Sequence, residues 1–454
     1  MEPELGNLHK RVSEFDARRQ RGRVSEIGRG AITVRGLSQV ACLGDRVRLT
    51  CRDGRDLGGE VIRVAREEVS ILADGPGEGA AIGDPVLHLG AADISPDDGW
   101  MGRVVDPFGT PLDGRPLARG AQTRQLRGAP PAAAQRRLLG ARLRTGMAVF
   151  DTLLPLVRGQ RLGLFAGSGV GKSTLLGRFA RGVEADAVVI ALIGERGREV
   201  QEFVTRVLGE EGMARSVVVA ATSDQSPLLR RRAAWAAMAV AEHFRDQGRH
   251  VLMLVDSITR FAEAHREIAV AAGEEANLRG FPPSTAPLIM ALAERAGTGG
   301  AGQGDITAVL SVLVAGSDME EPLADITRGA LDGHVVLDRA IAERGRFPAV
   351  DLLRSVSRSL PDAASAQENG LIARARELLG AYERAELMIQ AGLYAEGSDP
   401  LVDAAMKIWP ALDGFLAEDA PDGTDAAFSR LEALLGTAGP GAGGDRRAVP
   451  TRAA

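Results

Sequence analysis

The spacing of apolar residues divides the chain into three regions. Between Gly22 and about Leu89 the apolar residues alternate with polar ones in short pieces such as Ile32–Val34 and Val69–Ile71, separated by glycine-bearing turns. Several short strands at this spacing predict a small closed β-barrel, a fold that leaves no strand edge unpaired. We place this barrel at residues 22–90, and nothing in it has the residue pattern of a catalytic site.

The second region, residues 91–359, alternates continuous apolar runs with helical patterns. Buried strands of a parallel sheet have such runs because helices cover both faces of the sheet. The runs occur at Arg161–Phe165, Ala187–Ile193, Val217–Ala221, Val251–Val255 and Ile306–Val314. The sequence therefore predicts an α/β domain with a parallel sheet and flanking helices. Ligands of such sheets bind at the carboxyl ends of the strands.

The third region begins at about Leu360, where the apolar residues keep helical spacing only, most clearly between Leu371 and Met388. Farther on, Asp399 followed by Pro400 predicts the start of another helix, since aspartate caps helices and proline fits their first turn. We place a C-terminal helical domain at residues 360–435.

Four segments lie outside these patterns. Residues 1–21 predict an amphipathic helix, which docks on a partner, on an acidic membrane surface or on its own domain, because a helix of this length is marginal alone. Proline-rich turns between Asp106 and Pro131 predict a connecting arm, and the glycine-rich stretch Gly297–Gly304 predicts a mobile loop. The tail, residues 436–454, is expected to be disordered.

Composition narrows the functional classes. Of the 454 residues, 45% are hydrophobic and 25% charged, as in an ordinary globular protein too long for one core. A net charge of -5 and 4% aromatic residues argue against a nucleic-acid binder, which needs basic and stacking surfaces. Cys42 and Cys51 form neither a disulfide framework nor a metal site, and no apolar run approaches a membrane span. We therefore expect a cytoplasmic protein.

The strongest candidate site follows the first apolar run, where a predicted strand leads into a glycine-rich turn and then into a helix. Backbone N–H groups of such a P-loop surround phosphates at the positive end of the helix. The candidate phosphate-binding residues are Ala166, Gly167, Ser168, Gly169, Val170, Gly171, Lys172, Ser173 and Thr174. Lys172 would neutralise the outer phosphates and the Ser173 hydroxyl would reach Mg²⁺. Ala166 stands where the usual pattern has its first glycine.

Lysine usage supports this interpretation. Lysine occurs only at Lys10, Lys172 and Lys407, so nearly all of the 55 basic side chains are arginines. A compact ammonium fits inside a ring of backbone amides where a planar guanidinium would not. The lysine of the P-loop therefore reflects the chemistry of the site rather than the composition of the chain.

Three other features favour nucleotide hydrolysis over binding alone. Asp256 ends the run Val251–Val255, where a carboxylate beside the P-loop can hold the water shell of Mg²⁺, although aspartates also cap strands for structural reasons. Glu195 follows another run and could orient an attacking water, with Arg196 on the γ-phosphate; the alternative is a solvated loop with local ion pairs. An arginine of the segment Phe347–Arg358 could complete a neighbour's site as a finger, but one arginine in an arginine-rich chain proves nothing by itself.

Together these stretches resemble the rotary ATPase α/β family, and within it the flagellum-specific export ATPases of the type III secretion group. The resemblance covers about residues 20–435. Besides the P-loop it is carried by Gly194–Val200, Leu254–Phe261, Gly280–Ser284, Asp318–Asp325, Leu331–His334, Pro348–Ser357 and Ala391–Asp403. The last of these segments is similar to the export branch rather than to the ATP synthase subunits.

The resemblance implies a RecA-like central domain that uses ATP and Mg²⁺. It implies Lys172 and Ser173 on phosphate and Mg²⁺, Glu195 as the carboxylate that activates water, and Asp256 as the Walker B acid. It also implies that Arg358 is a finger donated to the neighbouring subunit.

Three further residues gain a role from the resemblance. Arg196 and Arg260 would line the phosphate site. Phe347 would stack on adenine at a position where the family has tyrosine, so that stacking is kept and a hydroxyl is lost.

ATP synthase divides the water-activating glutamate and the finger arginine between two kinds of subunit, whereas this chain carries both Glu195 and Arg358. Identical sites can then form between copies, which predicts a homohexameric ring. The resemblance also implies a stator-like regulatory subunit at the N-terminal helix and a stalk-like subunit in the pore at Gly280–Ser284. Export chaperone–substrate complexes and the export gate would be further partners, at the cytoplasmic base of the flagellum and peripheral to the inner membrane.

Three alternatives stay open at this point. The first is the ATPase of a virulence injectisome, which has the same chemistry. The second is a non-catalytic scaffold such as the α subunit of ATP synthase, which carries glutamine where Glu195 stands. The third is an RNA translocase related to transcription terminators, which would need a basic, aromatic barrel.

Overall fold

The computed structural model describes residues 20–28, 30–276, 280–314 and 319–437. Apart from their innermost residues, the predicted N-terminal helix and the predicted disordered tail lie outside these ranges. Within them, no helix combines the length and the apolar character needed to cross a lipid bilayer.

The first domain is a closed barrel of antiparallel strands. Its strands are β1 (Arg21–Ile27), β2 (Ile32–Arg35), β3 (Arg46–Thr50), β4 (Asp56–Val64), β5 (Glu68–Ala73) and β6 (Pro85–Gly90). They pair in the order β1-β2-β5-β4-β3-β6, and β6 closes on β1. Because strand side chains alternate between faces, Val34, Val47 and Val86 are fully buried while their sequence neighbours are not. The predicted barrel is confirmed.

The central domain is built on a large sheet, preceded by the small pair β7 (Asp93–Ile94) and β9 (Arg124–Gln125). The strands of the large sheet are β8 (Arg103–Val105), β10 (Arg161–Ala166), β11 (Ala187–Glu195), β12 (Ser216–Thr222), β13 (Val251–Asp256), β14 (Gly297–Thr298), β15 (Asp305–Leu313), β16 (Gly333–Leu337) and β17 (Val350–Ser357). The order is β17-β16-β10-β15-β13-β11-β12-β8, with β14 beside β15. Only β14 and β17 pair antiparallel among these described strands, so the predicted parallel sheet is confirmed.

Helices cover both faces of this sheet. They are α1 (Ala148–Asp151), α2 (Lys172–Gly182), α3 (Gly197–Glu202), α4 (Gly209–Ala214), α5 (Pro227–Asp246), α6 (Ile258–Ala271), α7 (Thr285–Arg295), α8 (Pro322–Gly329) and α9 (Arg339–Glu343); a π-helical segment, Phe203–Leu208, joins α3 to α4. Small alanines let α5 approach the sheet closely, and Ala236, Ala237 and Ala239 are fully buried. Helices α5, α6 and α7 share one apolar core on this face.

The C-terminal domain consists of α10 (Ala366–Gln390), α11 (Pro400–Phe415) and α12 (Thr424–Gly436). As predicted, Asp399 caps α11: its Oδ1 accepts the N–H of Leu401 at 2.8 Å, and Pro400 occupies the first turn. Leu378 of α10 and Leu412 of α11 belong to the same buried core as α2. The helical domain therefore packs on the face of the sheet that carries the P-loop helix.

The segment Gly297–Gly304, predicted to be a mobile loop, is a loop only after its first two residues. Gly297 and Thr298 form β14, and the Gly299 N–H donates to Asp305 Oδ1 at 3.0 Å. At Gly304 a Cβ atom would lie 1.8 Å from the carbonyl oxygen of Arg249. Glycine at position 304 therefore lets two backbone segments touch.

We expect Gly304→Ala to destabilise the protein by about 2–3 kcal/mol, because the added methyl group has no space and the backbone must shift. Thermal unfolding followed by circular dichroism measures the effect. Gly300→Ala is the matched control, since a Cβ there comes no closer than 3.4 Å to a neighbouring atom. Equal melting temperatures for the two variants would contradict the packing argument.

Candidate active site

The P-loop connects β10 to α2 at the carboxyl end of the sheet. Gly169 and Gly171 have φ angles of 78° and 87°, in the left-handed region that favours glycine. Gly171 ends the turn as the N-cap of α2, and Lys172 and Ser173 form the first residues of that helix. The backbone N–H groups of the turn therefore lie at the N-terminal, positive end of α2, where a phosphate would bind.

Lys172 joins the P-loop to two neighbouring strands. Its Nζ contacts Asp256 Oδ1 at the end of β13 and lies 3.9 Å from Glu195 Oε1 at the end of β11. Asp256 is only 2% exposed, so in this state Lys172 lies between its carboxylate and the solvent. The parallel sheet thus brings together three groups that are up to 84 residues apart in sequence.

Glu195 has the electrostatics of a proton acceptor near neutral pH. Its burial and the nearby charge of Asp256 raise the pKa of its carboxyl to about 7, while the Lys172 ammonium acts in the opposite direction. A hydrogen bond with Glu199 contributes to the rise, and the same bond lowers the pKa of Glu199. General bases are most effective when their pKa lies close to the working pH.

Two arginines flank Glu195. Arg196 is exposed and lies 3.3 Å from Glu199, whereas Arg260, in the first turn of α6, pairs with Glu263 at 2.9 Å. Gly194 has a φ of 68°, and a Cβ there would approach the Cβ of Arg260 to 3.3 Å. The glycine before Glu195 therefore permits both the turn and the close approach of Arg260.

Phe347 lies beside the P-loop. Its side chain is 48% exposed, and its ring is 3.1 Å from the position that a Cβ of Gly171 would occupy. The structure therefore places an accessible aromatic ring next to the phosphate turn, as stacking on a nucleotide base would need.

Arg358 does not belong to this cleft. Strand β17 runs antiparallel to β16 and pairs Val350 with Leu337, which itself pairs with Ala166 of the P-loop strand. Val350 therefore lies at the P-loop edge of the sheet and Ser357 at the opposite edge. The strand has 8 residues, and a strand of that length spans about 23 Å. Arg358 is exposed at the far edge, out of reach of its own P-loop.

Comparison with known proteins decides the family. Residues 146–357 match the nucleotide-binding domain of the ATP synthase alpha/beta family, and residues 364–432 match the T3SS EscN ATPase C-terminal domain. The chain is 43% identical over 440 residues to the flagellum-specific ATP synthase of Caulobacter vibrioides, which covers 95% of this chain and 99% of that protein. The chain belongs to the type III export group of the ATP synthase alpha/beta family.

Other members of this group are similar to it. The type 3 secretion system ATPase of Pseudomonas syringae pv. syringae is 42% identical over 90% of this chain and 92% of its own length. The assembled ATPase EscN of the enteropathogenic E. coli type III secretion system is 35% identical, with a TM-score of 0.84 over 91% of this chain and all of that one. The predicted family, the ATP-hydrolysing activity and the three-part fold are thereby confirmed.

The cleft of this export ATPase contains most of the residues singled out from the sequence. Its volume is about 1460 Å³, and it is lined by the P-loop, Glu195, Arg196 and Arg260. Val170 is buried and, like Asp256, lies behind the cleft wall. Phe347 adjoins the P-loop, and Arg358 is separate from it.

Sequence analysis missed several residues that line the cleft: Glu199, Ser223, Arg230, Thr259, Glu263, Glu321, Asp338, Arg339 and Arg354. For some of these residues, their position in the sequence after a predicted strand could have pointed to the cleft. Ser223 and Arg230 follow the predicted strand Val217–Ala221, and carboxyl ends of parallel strands meet at one edge. For the distant Arg354 no such signal exists, because arginine is common throughout this chain.

The site suits Mg²⁺ as phosphate-transferring proteins hold it, through few protein ligands together with substrate phosphates and water. Among the described residues, no group of three or more His, Cys, Asp or Glu side chains forms a metal cage. The Ser173 side chain at the helix start and the Asp256 carboxylate are the fitting donors. Among the described residues, Lys172 and Ser311 donate hydrogen bonds to Oδ1 of Asp256, and none donates to Oδ2.

Proposed function

We propose that this chain is the ATP hydrolase of a flagellar protein export apparatus and works as a homohexameric ring. The observation that carries the proposal is the placement of Glu195 and Arg358 on opposite edges of one sheet. A chain that has a cleft at one edge and an exposed arginine at the other can complete a copy of itself. A closed ring satisfies every cleft with one kind of subunit.

Each residue has a role in this proposal. The backbone of residues 166–174 and Lys172 hold the phosphates of ATP, and the Phe347 ring stacks on adenine. Ser173 and Asp256 hold Mg²⁺, which when bound neutralises charge on the phosphates. Glu195 accepts a proton from the attacking water.

Two arginines of the same chain and one of its neighbour complete the site. Arg196 and Arg260 line the phosphate pocket from the side of Glu195. Arg358 of the adjoining copy stabilises the charge that develops on the γ-phosphate.

Partners follow from relatives. EscN has been solved assembled and in complex with its central stalk EscO, and a chain of that structure has a TM-score of 0.81 to this one. We propose a comparable stalk in the pore at Gly280–Ser284 and a stator-like subunit at the N-terminal segment that the sequence predicts to be helical. Chaperone–substrate complexes and the export gate complete the assembly at the cytoplasmic face of the inner membrane.

Secretion by a deletion strain tests the flagellar assignment. We expect loss of flagellin and hook protein from the medium, rescue by the wild-type gene and no rescue by Lys172→Ala. Lys407→Ala is the control, because Lys407 is the exposed lysine of α11 and lies away from the cleft. Normal flagellar secretion together with loss of needle substrates would assign the chain to an injectisome instead.

The raised pKa of Glu195 predicts the pH dependence of turnover. Because the base must be ionised, kcat/KM should rise with pH through about 7, the pKa of the free enzyme, and level off above it. In Glu199→Ala the rise should occur at lower pH, since Glu199 helps to raise the pKa of Glu195. Steady-state hydrolysis from pH 5.5 to 9 measures both curves. A rise unmoved by Glu199→Ala would show that another group titrates.

A further inference from the structure

The two oxygens of Asp256 have different surroundings. Oδ1 contacts the Lys172 ammonium and accepts a hydrogen bond from the Ser311 hydroxyl at 2.9 Å. Oδ2 accepts no hydrogen bond from any residue that the structure describes. The described residues therefore fix Oδ1 from two sides and leave Oδ2 for a different partner.

Ser311 is placed for this contact by the sheet itself. Strands β13 and β15 are parallel, and Val255 pairs with Leu310, so the next residues in each strand, Asp256 and Ser311, are neighbours. Ser311 is fully buried between the apolar residues Leu310 and Val312. A buried hydroxyl between apolar neighbours is unfavourable unless it is hydrogen-bonded, and the partner of Ser311 is the Asp256 carboxylate.

The two contacts of Oδ1 differ in what happens to them when a nucleotide binds. In the proposed function Lys172 is needed by the outer phosphates, and its ammonium then divides its interactions between them and Asp256. The Ser311 hydroxyl has no such second task, because it lies inside the sheet, away from the cleft wall. Ser311 is thus the contact that persists.

We propose that Ser311 is a positioning residue for the Mg²⁺ site: it holds Oδ1 of Asp256 so that Oδ2 keeps its orientation toward the metal and its water shell while Lys172 serves the phosphates. The inference rests on the proposed role of Asp256. Groups that orient a metal-binding carboxylate commonly change metal affinity about 10–100-fold when they are removed.

Binding of Mn²⁺ in the presence of ADP, followed by electron paramagnetic resonance on the full chain, tests the proposal without relying on turnover. We expect Ser311→Ala to weaken Mn²⁺ binding about tenfold. Ser311→Thr keeps a hydroxyl and should bind Mn²⁺ as the wild type does. Ser311→Cys, which keeps the volume but donates weakly, should lie between them and serves if the alanine variant does not fold.

Thr307→Val is the matched structural control. Thr307 is equally buried on the same strand, and its hydroxyl bonds the Gly159 N–H at 2.9 Å and the His250 ring at 2.8 Å instead of a carboxylate. We expect it to lower stability without changing Mn²⁺ affinity.

Two outcomes would overturn different claims. Wild-type Mn²⁺ affinity in Ser311→Ala, with stability reduced as in Thr307→Val, would show that Ser311 is only structural. Undiminished Mn²⁺ binding in Asp256→Asn would instead remove the metal role of Asp256 and, with it, that part of the proposed function.

Discussion

Replacing Glu195 by glutamine is expected to lower the rate of ATP hydrolysis about 10²–10⁴-fold while ATP binding stays within a few-fold of wild type. The amide has the shape of the carboxylate but cannot accept a proton from water. The P-loop, Lys172 and Phe347 are unchanged, so the groups proposed to hold the nucleotide remain. Steady-state hydrolysis and the fluorescence of a labelled ATP analogue separate the two effects.

Glu199→Gln is the control for this experiment. Glu199 lies in the same cleft and is hydrogen-bonded to Glu195, so its substitution makes a similar change in charge without removing the proposed base. We expect a much smaller loss of rate than in Glu195→Gln. If both variants kept more than a tenth of the wild-type rate, a different group would have to activate water, and a scaffold function would regain support.

The sequence was a good guide where one residue type has one physical meaning. The continuous apolar run Ala187–Ile193 can only be a buried strand or helix, and its length and flanking turns favour a strand. The P-loop is equally direct, because its glycines and its lysine are each required by phosphate geometry. Asp399 and Pro400 fix a helix start for similarly local reasons.

The sequence was a poor guide where the meaning depends on a distant partner. The close packing at Gly304 was not predicted, because the backbone that it contacts, that of Arg249, is distant in sequence. Strand β17 was missed because it is the outermost strand of the sheet, where mainly alternate residues are buried and no continuous apolar run results. Ser311 gave no signal at all, since a serine in a strand acquires meaning only when Asp256 lies beside it.

The position of Arg358 shows the same limit in the site. From the sequence, its distance from the P-loop is only a number of residues. Because β17 runs antiparallel to β16, the structure places Arg358 on the side of the sheet opposite the P-loop. The structure therefore supplies the physical reason why an arginine of one copy, if it acts on ATP, must act on the ATP of another.

A mixing experiment tests this consequence. We expect Lys172→Ala and Arg358→Ala each to lose about 10³-fold or more of the hydrolysis rate, because one removes the proposed phosphate ligand and the other the proposed finger. We call the interface between two adjacent copies a seam. At some seams the Arg358→Ala copy supplies the cleft and the Lys172→Ala copy supplies the arginine, and these seams have every group intact. With random assembly at equal amounts, about a quarter of the seams are of this kind. Activity should therefore peak at the equal mixture.

The matched control mixes Lys172→Ala with Glu195→Gln. Each substitution damages the cleft of the copy that carries it, because Lys172 and Glu195 belong to the same cleft. Every seam of a mixed ring then has a defective cleft, so no activity should return, although the copies exchange in the same way. Mass photometry on labelled copies verifies that mixed rings form. Rescue in the first mixture and none in the second requires a site shared between copies. If neither mixture hydrolysed ATP although mixed rings were present, Arg358 would not act on a neighbour's nucleotide. The argument for a ring of identical subunits would then be lost.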